Sequence, residues 1–147
     1  MSFSDFTTYH GIKVPKVHYL HLIQVARADG KIDRQEMAIL HKEGRRFGLT
    51  DAEIDNLIEK EKDHQYHPPY SLDDKFEDLF YIAEMMLADD VINDDELRLL
   101  RRFAIEVGFD DRAIEILEEV LIGGIRNMES EEELLKKFKT ELFKNNG

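Results

Sequence analysis

A chain of 147 residues with a net charge of −12 is long enough to bury the core of one domain. It has no cysteine, which excludes disulfides, thiolate metal sites and cysteine nucleophiles. Neither a signal-peptide pattern at Met1 to Phe6 nor an apolar stretch of spanning length is present, so the expectation is a cytoplasmic protein without direct membrane insertion.

Residues 1–14 show no periodic pattern and read as an arm. Pro15 suits the first turn of a helix, and Tyr19, Leu22, Ile23 and Ala26 form a stripe between Val17 and Ala28. Leu20 and Val25 fall off that stripe, so this helix is apolar on most sides and is expected to be deeply buried. Gly30 stops it. Asp33 opens a second helix with Met37, Leu40, Gly44 and Phe47 along one face and Gly48 as its stop. Thr50-Asp51-Ala52-Glu53 is a capping box for a third helix carrying Ile54, Leu57 and Ile58.

Residues 61–71 contain Pro68-Pro69 and read as a linker. Ser71 with Asp74 caps a fourth helix. Phe76, Leu79, Phe80, Ala83 and Leu87 keep helical spacing there, and Ile82, Met85 and Met86 extend the apolar surface past one face, as core residues. A fifth helix carries Leu97, Leu100, Ala104 and Val107 and ends at Gly108. A sixth runs from Asp110 or Asp111 to about Ile122, where Gly123-Gly124 punctuates. Ser130 and Glu133 cap a last helix, about 130–144, with Leu135, Phe138 and Leu142 inward and lysines on its later turns. No stretch alternates with period two. The fold class is all-α, about seven helices in a single domain.

The first six helices form two copies of one unit. Ala28-Asp29-Gly30-Lys31-Ile32-Asp33-Arg34-Gln35-Glu36 returns sixty residues later as Ala88-Asp89-Asp90-Val91-Ile92-Asn93-Asp94-Asp95-Glu96. Residues 28–59 and 88–119 share 10 identities in 32 positions. Two three-helix repeats, about 17–60 and 72–122, are therefore expected to be related by a pseudo-twofold.

The repeated loop resembles the second half of an EF-hand. Counting back from Glu36 or Glu96, however, the first two ligand positions fall on Val25 and Arg27, or on Met85 and Leu87, which cannot hold calcium. Asp33 with Glu36, and Asn93 with Glu96, have capping-box spacing, and Ile32 and Ile92 would sit as apolar plugs ahead of the caps. Caps strain at Asp29 and Asp89, because a carboxylate at a helix C-terminus opposes the dipole by roughly 0.3–1 kcal/mol; each either folds back on the loop amides as an Asx turn or binds a cation with its neighbours. Asp29, Asp33, Glu36, Asp89, Asn93 and Glu96 are accordingly the candidate oxygen ligands for a divalent cation, Ca²⁺ or Mg²⁺.

The two Ala-Asp-x-x-Ile-x-x-x-Glu corners, with the ends Phe47-Gly48-Leu49-Thr50 and Val107-Gly108-Phe109-Asp110, resemble the TerB-like family over about residues 17–122. That family includes tellurite-resistance proteins and the N-terminal domain of a DnaJ-like co-chaperone. The resemblance implies a non-catalytic helical domain of bacterial stress responses, with divalent metal bound through acidic loops. Asp29, Glu36, Asp89 and Glu96 match its acidic pattern. Asp90 departs by standing where the first copy has Gly30, so the second loop cannot reach the left-handed region as cheaply.

Charge adds a second reading. Residues 71–122 hold 5 Lys/Arg against 16 Asp/Glu, so the second repeat is the acidic part of the molecule. Such a field disfavours nucleic acid and favours a protein partner with a basic surface, with Asp90, Asp94 and Asp95 as the candidate contact face. His18-x-x-His21 and His64-x-x-His67 have spacings that could serve zinc, with no third ligand fixed by the sequence. His41 reads as solvated. A metal-dependent hydrolase on the same carboxylates is a third reading without a motif of its own.

Overall fold

The computed structural model describes residues 5–8, 12–27, 30–89 and 91–144. Its helices are α1 (Lys16–Ala26), α2 (Arg34–Arg46), α3 (Asp51–Lys60), α4 (Leu72–Met86), α5 (Asp94–Val107), α6 (Asp111–Arg126) and α7 (Glu131–Phe143), with a 3-10 turn at Glu61–Asp63. From α2 onward each start is capped by a short polar side chain that accepts a hydrogen bond from the third backbone amide: Asp33, Thr50, Ser71, Asn93, Asp110 and Ser130. The sequence predicts five of them and leaves the sixth between Asp110 and Asp111, of which Asp110 is the cap. Helix α1 follows Pro15, whose fixed φ suits a helix entry and which has no side-chain acceptor to offer.

The first fourteen residues are not wholly an unstructured arm. Strands β1 (Phe6–Thr7) and β2 (Lys13–Val14) pair antiparallel, Phe6 opposite Val14. Val14 is fully buried and anchors this short ladder to the core.

Helices α1 and α4 lie at the centre. Tyr19, Leu22, Ile23, Val25 and Ala26 of α1 have no exposed surface, nor do Phe76, Ile82, Ala83, Met85 and Met86 of α4. Helix α1 packs on α2, α4 and α5, and α4 on α1, α5, α6 and α7. Each large apolar side chain buried this way contributes about 1.5–3 kcal/mol of transfer free energy. Tyr19 keeps its hydroxyl satisfied by donating to the Leu40 carbonyl at 2.6 Å.

One carboxylate sits in the α1–α4 contact. Asp78 of α4 accepts from His18 Nδ1 at 2.9 Å, from His21 Nδ1 at 3.1 Å and from the Tyr66 hydroxyl at 2.7 Å. Burial pushes the Asp78 carboxyl up, but these three donors outweigh it and hold the group well below the usual carboxylate range. Tyr66 thus folds the linker 61–71 onto the core.

The sixty-residue offset carries over into element boundaries. Helices α2 and α5 start at Arg34 and Asp94, α3 and α6 at Asp51 and Asp111, and α1 and α4 end at Ala26 and Met86. Gly48 and Gly108 both take a positive φ, +85° and +113°. Several contacts join the chain before the linker to the chain after it. Arg102 donates to Glu36 and Lys42 to Glu96; likewise His21 meets Asp78 and His18 stacks on Tyr81.

Two expectations need correction at the C-terminal end. Helix α6 does not stop near Ile122 but runs through Gly123-Gly124 to Arg126. The buried residues of α7 are Leu134 and Phe138, whereas Leu135 and Leu142 are only half-buried. The two corrections share one cause. Gly124 lacks the side chain that would collide with Leu134, so α7 packs tightly over α6 there, while Gly123 faces open space.

Opposite outcomes follow for two adjacent alanines. Gly124→Ala forces its methyl into Leu134 and is expected to cost about 1–3 kcal/mol in urea unfolding, the usual range for overpacking. Gly123→Ala meets nothing and gains helix propensity, so it should stabilise by about 0.5–1 kcal/mol. Equal effects at the two positions would contradict the packing described.

Candidate functional site

The two acidic corners are built by capping. In the first, Asp33 accepts from the Glu36 amide at 2.7 Å and Glu36 Oε1 accepts from the Asp33 amide at 3.1 Å. In the second, Asn93 accepts from the Glu96 amide at 2.8 Å and Glu96 Oε1 from the Asn93 amide at 3.1 Å. Both glutamates are buried, Glu96 completely. Their second oxygens face cations from the opposite repeat: Arg102 for Glu36, and Lys42, 3.4 Å away, for Glu96. Arg102 also donates to the Ala26 carbonyl at the end of α1, at 3.2 Å, where a cation is favourable.

Asp89 sits beside the second corner. Its Oδ1 accepts from the Val91 amide at 3.4 Å, an Asx-type turn, and its Oδ2 lies 3.4 Å from Arg46 and 3.7 Å from Lys42. That turn and these cations account for a carboxylate at the end of α4. Asp29 and Asp90 lie outside the described residues. Asp94 is exposed in the first turn of α5, and Asp95 accepts from Arg98 at 2.9 Å.

The structure therefore joins Asp33 to Glu36 through the capping box, sets Glu36 against Arg102, and brings Asp89 and Glu96 together around Lys42. Among the described residues these corner carboxylates do not converge as a three-ligand set. Sequence reasoning missed the basic partners. A signal was available, since Lys42 and Arg102 are themselves sixty residues apart and keep their charge.

It also missed Glu43. This α2 residue is fully buried, neither carboxylate oxygen has a hydrogen-bond partner among the described residues, and Arg46 Nε lies 3.8 Å away. Burial pushes its pKa up to about 8, with Glu96 and Asp89 adding to the rise and Arg46 and Lys42 opposing it.

Histidines fall into different settings. His41 is not free in solvent: Asp51 holds its Nδ1 at 2.8 Å and Asp55 its Nε2 at 2.7 Å, tying α2 to α3. Burial alone would lower the His41 pKa, but the two carboxylates raise it above its ordinary value. His64 pairs with Glu61 at 2.8 Å, and His64 and His67 both remain exposed while Tyr66 between them turns inward.

A surface groove separates α6 from α7 and has a volume of about 910 Å³. Ile116, Val120 and exposed Gly123 form its α6 side. Its walls carry four glutamates and two lysines, and one of those lysines, Lys137, is already paired with Glu129. Glu115 and Glu118 extend the acidic surface along α6 beyond the groove, Glu118 paired with Arg101. Sequence reading took Gly123-Gly124 as a break between helices and so did not see this groove.

Glu43 makes a pH dependence testable. Folding favours its protonated form, so its contribution to stability is complete below its ordinary value of 4.5 and is lost as pH rises through about 8. Thermal melts of wild type and Glu43→Gln across pH 5–9 should diverge, with the variant relatively more stable as pH rises. Parallel curves would mean that Glu43 is not buried unpaired. Comparison of the chain with family models, with curated proteins and with solved structures returns no match.

Proposed function

We propose that this protein is a non-catalytic interaction module of TerB-like type, acting in a bacterial stress response of the tellurite-resistance kind. On this reading its two three-helix units are copies related by a pseudo-twofold. The module holds a protein partner with a basic surface. The α6–α7 groove carries this reading: its α6 wall sets Ile116 and Val120 beside Glu119, its glutamates outnumber its lysines, and it lies between two helices, the arrangement that accepts an amphipathic helix. Charge complementarity names the occupant as a helix with an apolar stripe flanked by lysine or arginine. The net charge of −12, concentrated in residues 71–122, would steer such a segment toward the acidic side.

The candidate contact face at Asp94 and Asp95 fits this reading less directly, because Asp95 is engaged by Arg98. Binding of a divalent cation at the corners is the less favoured reading, since Lys42, Arg46 and Arg102 already neutralise Asp89, Glu96 and Glu36.

A designed amphipathic helix with a leucine stripe and lysine flanks, fluorescently labelled, tests the groove by anisotropy. Binding should weaken with salt, fall by about tenfold for the double change Glu119→Lys with Glu141→Lys, and be lost in Gly123→Leu, where a Cβ meets nothing within 4 Å and the side chain starts on the groove wall. A glutamate-flanked helix is the negative control. Equal binding by wild type and both variants, with unchanged melting temperatures, would remove the groove as the seat.

A further inference from the structure

The cluster that ties α1 to α4 has a donor set beyond what packing requires. His18, His21 and Asp78 each present a ligand atom, and these atoms all lie within 4.8 Å of one another. We infer that His18 Nδ1, His21 Nδ1 and Asp78 Oδ1 form a binding site for a zinc-type transition-metal dication.

Geometry supports the inference first. Around tetrahedral zinc with bonds near 2.0–2.1 Å, neighbouring ligand atoms stand roughly 3.3 Å apart. The two imidazole nitrogens already lie 2.9 and 3.1 Å from Asp78 Oδ1. Both distances are within about half an ångström of that spacing. Without metal, each imidazole donates its Nδ1 proton to the carboxylate. With metal, the neutral rings carry their proton on Nε2 and the Nδ1 lone pairs take the ion.

The surroundings fix the ligands. Tyr66 donates to the other oxygen of Asp78 at 2.7 Å, leaving Oδ1 for the ion, an orienting contact of the kind that tunes metal sites. His18 stacks on Tyr81 with ring centroids 4.6 Å apart, and His21 stands edge-on to Tyr66 at 5.3 Å. Neither ring is free to swing. The His21 side chain keeps 28% of its surface exposed, against 6% for His18 and 4% for Asp78, so an ion has a way in and a fourth position can hold water.

The ligands come from different parts of the chain. His18 and His21 lie one turn apart on α1, Asp78 is on α4, and Tyr66 belongs to the linker. A bound ion would therefore bridge the two repeats and report on their docking. This site is separate from the acidic corners and from the α6–α7 groove, and its test is independent of both.

The experiment uses the full chain, stripped of metal with EDTA and titrated with Co²⁺ and then Zn²⁺. One equivalent of Co²⁺ should give visible d–d absorption of a low-coordinate nitrogen–oxygen site, and Zn²⁺ should displace it. His21→Asn, whose side-chain amide can still donate to Asp78, should lose at least roughly a hundredfold in Zn²⁺ affinity by chelator competition while keeping the wild-type circular dichroism. His64→Asn with His67→Asn should bind as wild type does. Absence of Co²⁺ absorption and Zn²⁺ uptake would overturn the site. So would uptake that survives His21→Asn unchanged or disappears with the exposed pair.

Discussion

Helices α1 and α4 bury each other, and the rest of the molecule is arranged to keep them buried. Each is apolar around most of its circumference, so exposing either helix to water carries a large transfer cost. Helices α2 and α5 cover α1, while α5, α6 and α7 cover α4. Into this apolar contact the chain places an ionised carboxylate. Asp78 is tolerable there because His18, His21 and Tyr66 all donate to it, and removing the donors would leave a buried charge unpaired. The same bonds set the relative position of α1, α4 and the linker.

Outside this centre, the two repeats hold each other at the corners. Capping boxes consume one oxygen of Glu36 and one of Glu96, and the cations of the facing repeat take the other. Acidic loops that resemble cation sites in sequence thus become cross-repeat ion pairs in space. Glu43 is the exception, a buried carboxylate left with only a distant guanidinium. Within our proposal for function this division of labour matters. The corner acids serve the fold, and the exposed glutamates of α6 and α7 remain to attract a partner.

Much of this was legible in the sequence, and the reasons differ by element. The side-chain caps were readable apart from the choice between Asp110 and Asp111, because a cap depends on one residue and the amide three positions later. The all-α class and the deep burial of α1 and α4 follow from the width of their apolar stripes. Gly123-Gly124 was misread because glycine lowers helix propensity locally, while the tertiary approach of Leu134 rewards its small size. On α7, Phe138 is buried as expected while Leu134 takes the place expected of Leu135, since only the facing helix decides which of the two leucines points inward. The His18-x-x-His21 pair was visible, but its third ligand was not: Asp78 lies sixty residues away and reads as one acid among many. Lys42 and Arg102 were hidden likewise, until the repeat offset is applied to charges as well as to apolar positions.

The central claim is that α1 and α4 have no separate stability and open only together. Native-state hydrogen exchange on the full chain measures this directly, by comparing slow amides of Lys16–Ala26 with those of Leu72–Met86 over a series of urea concentrations. The account predicts one opening free energy for both segments, equal to that of global unfolding and with the same urea dependence. Exchange in α1 through a smaller opening that leaves α4 protected would contradict it.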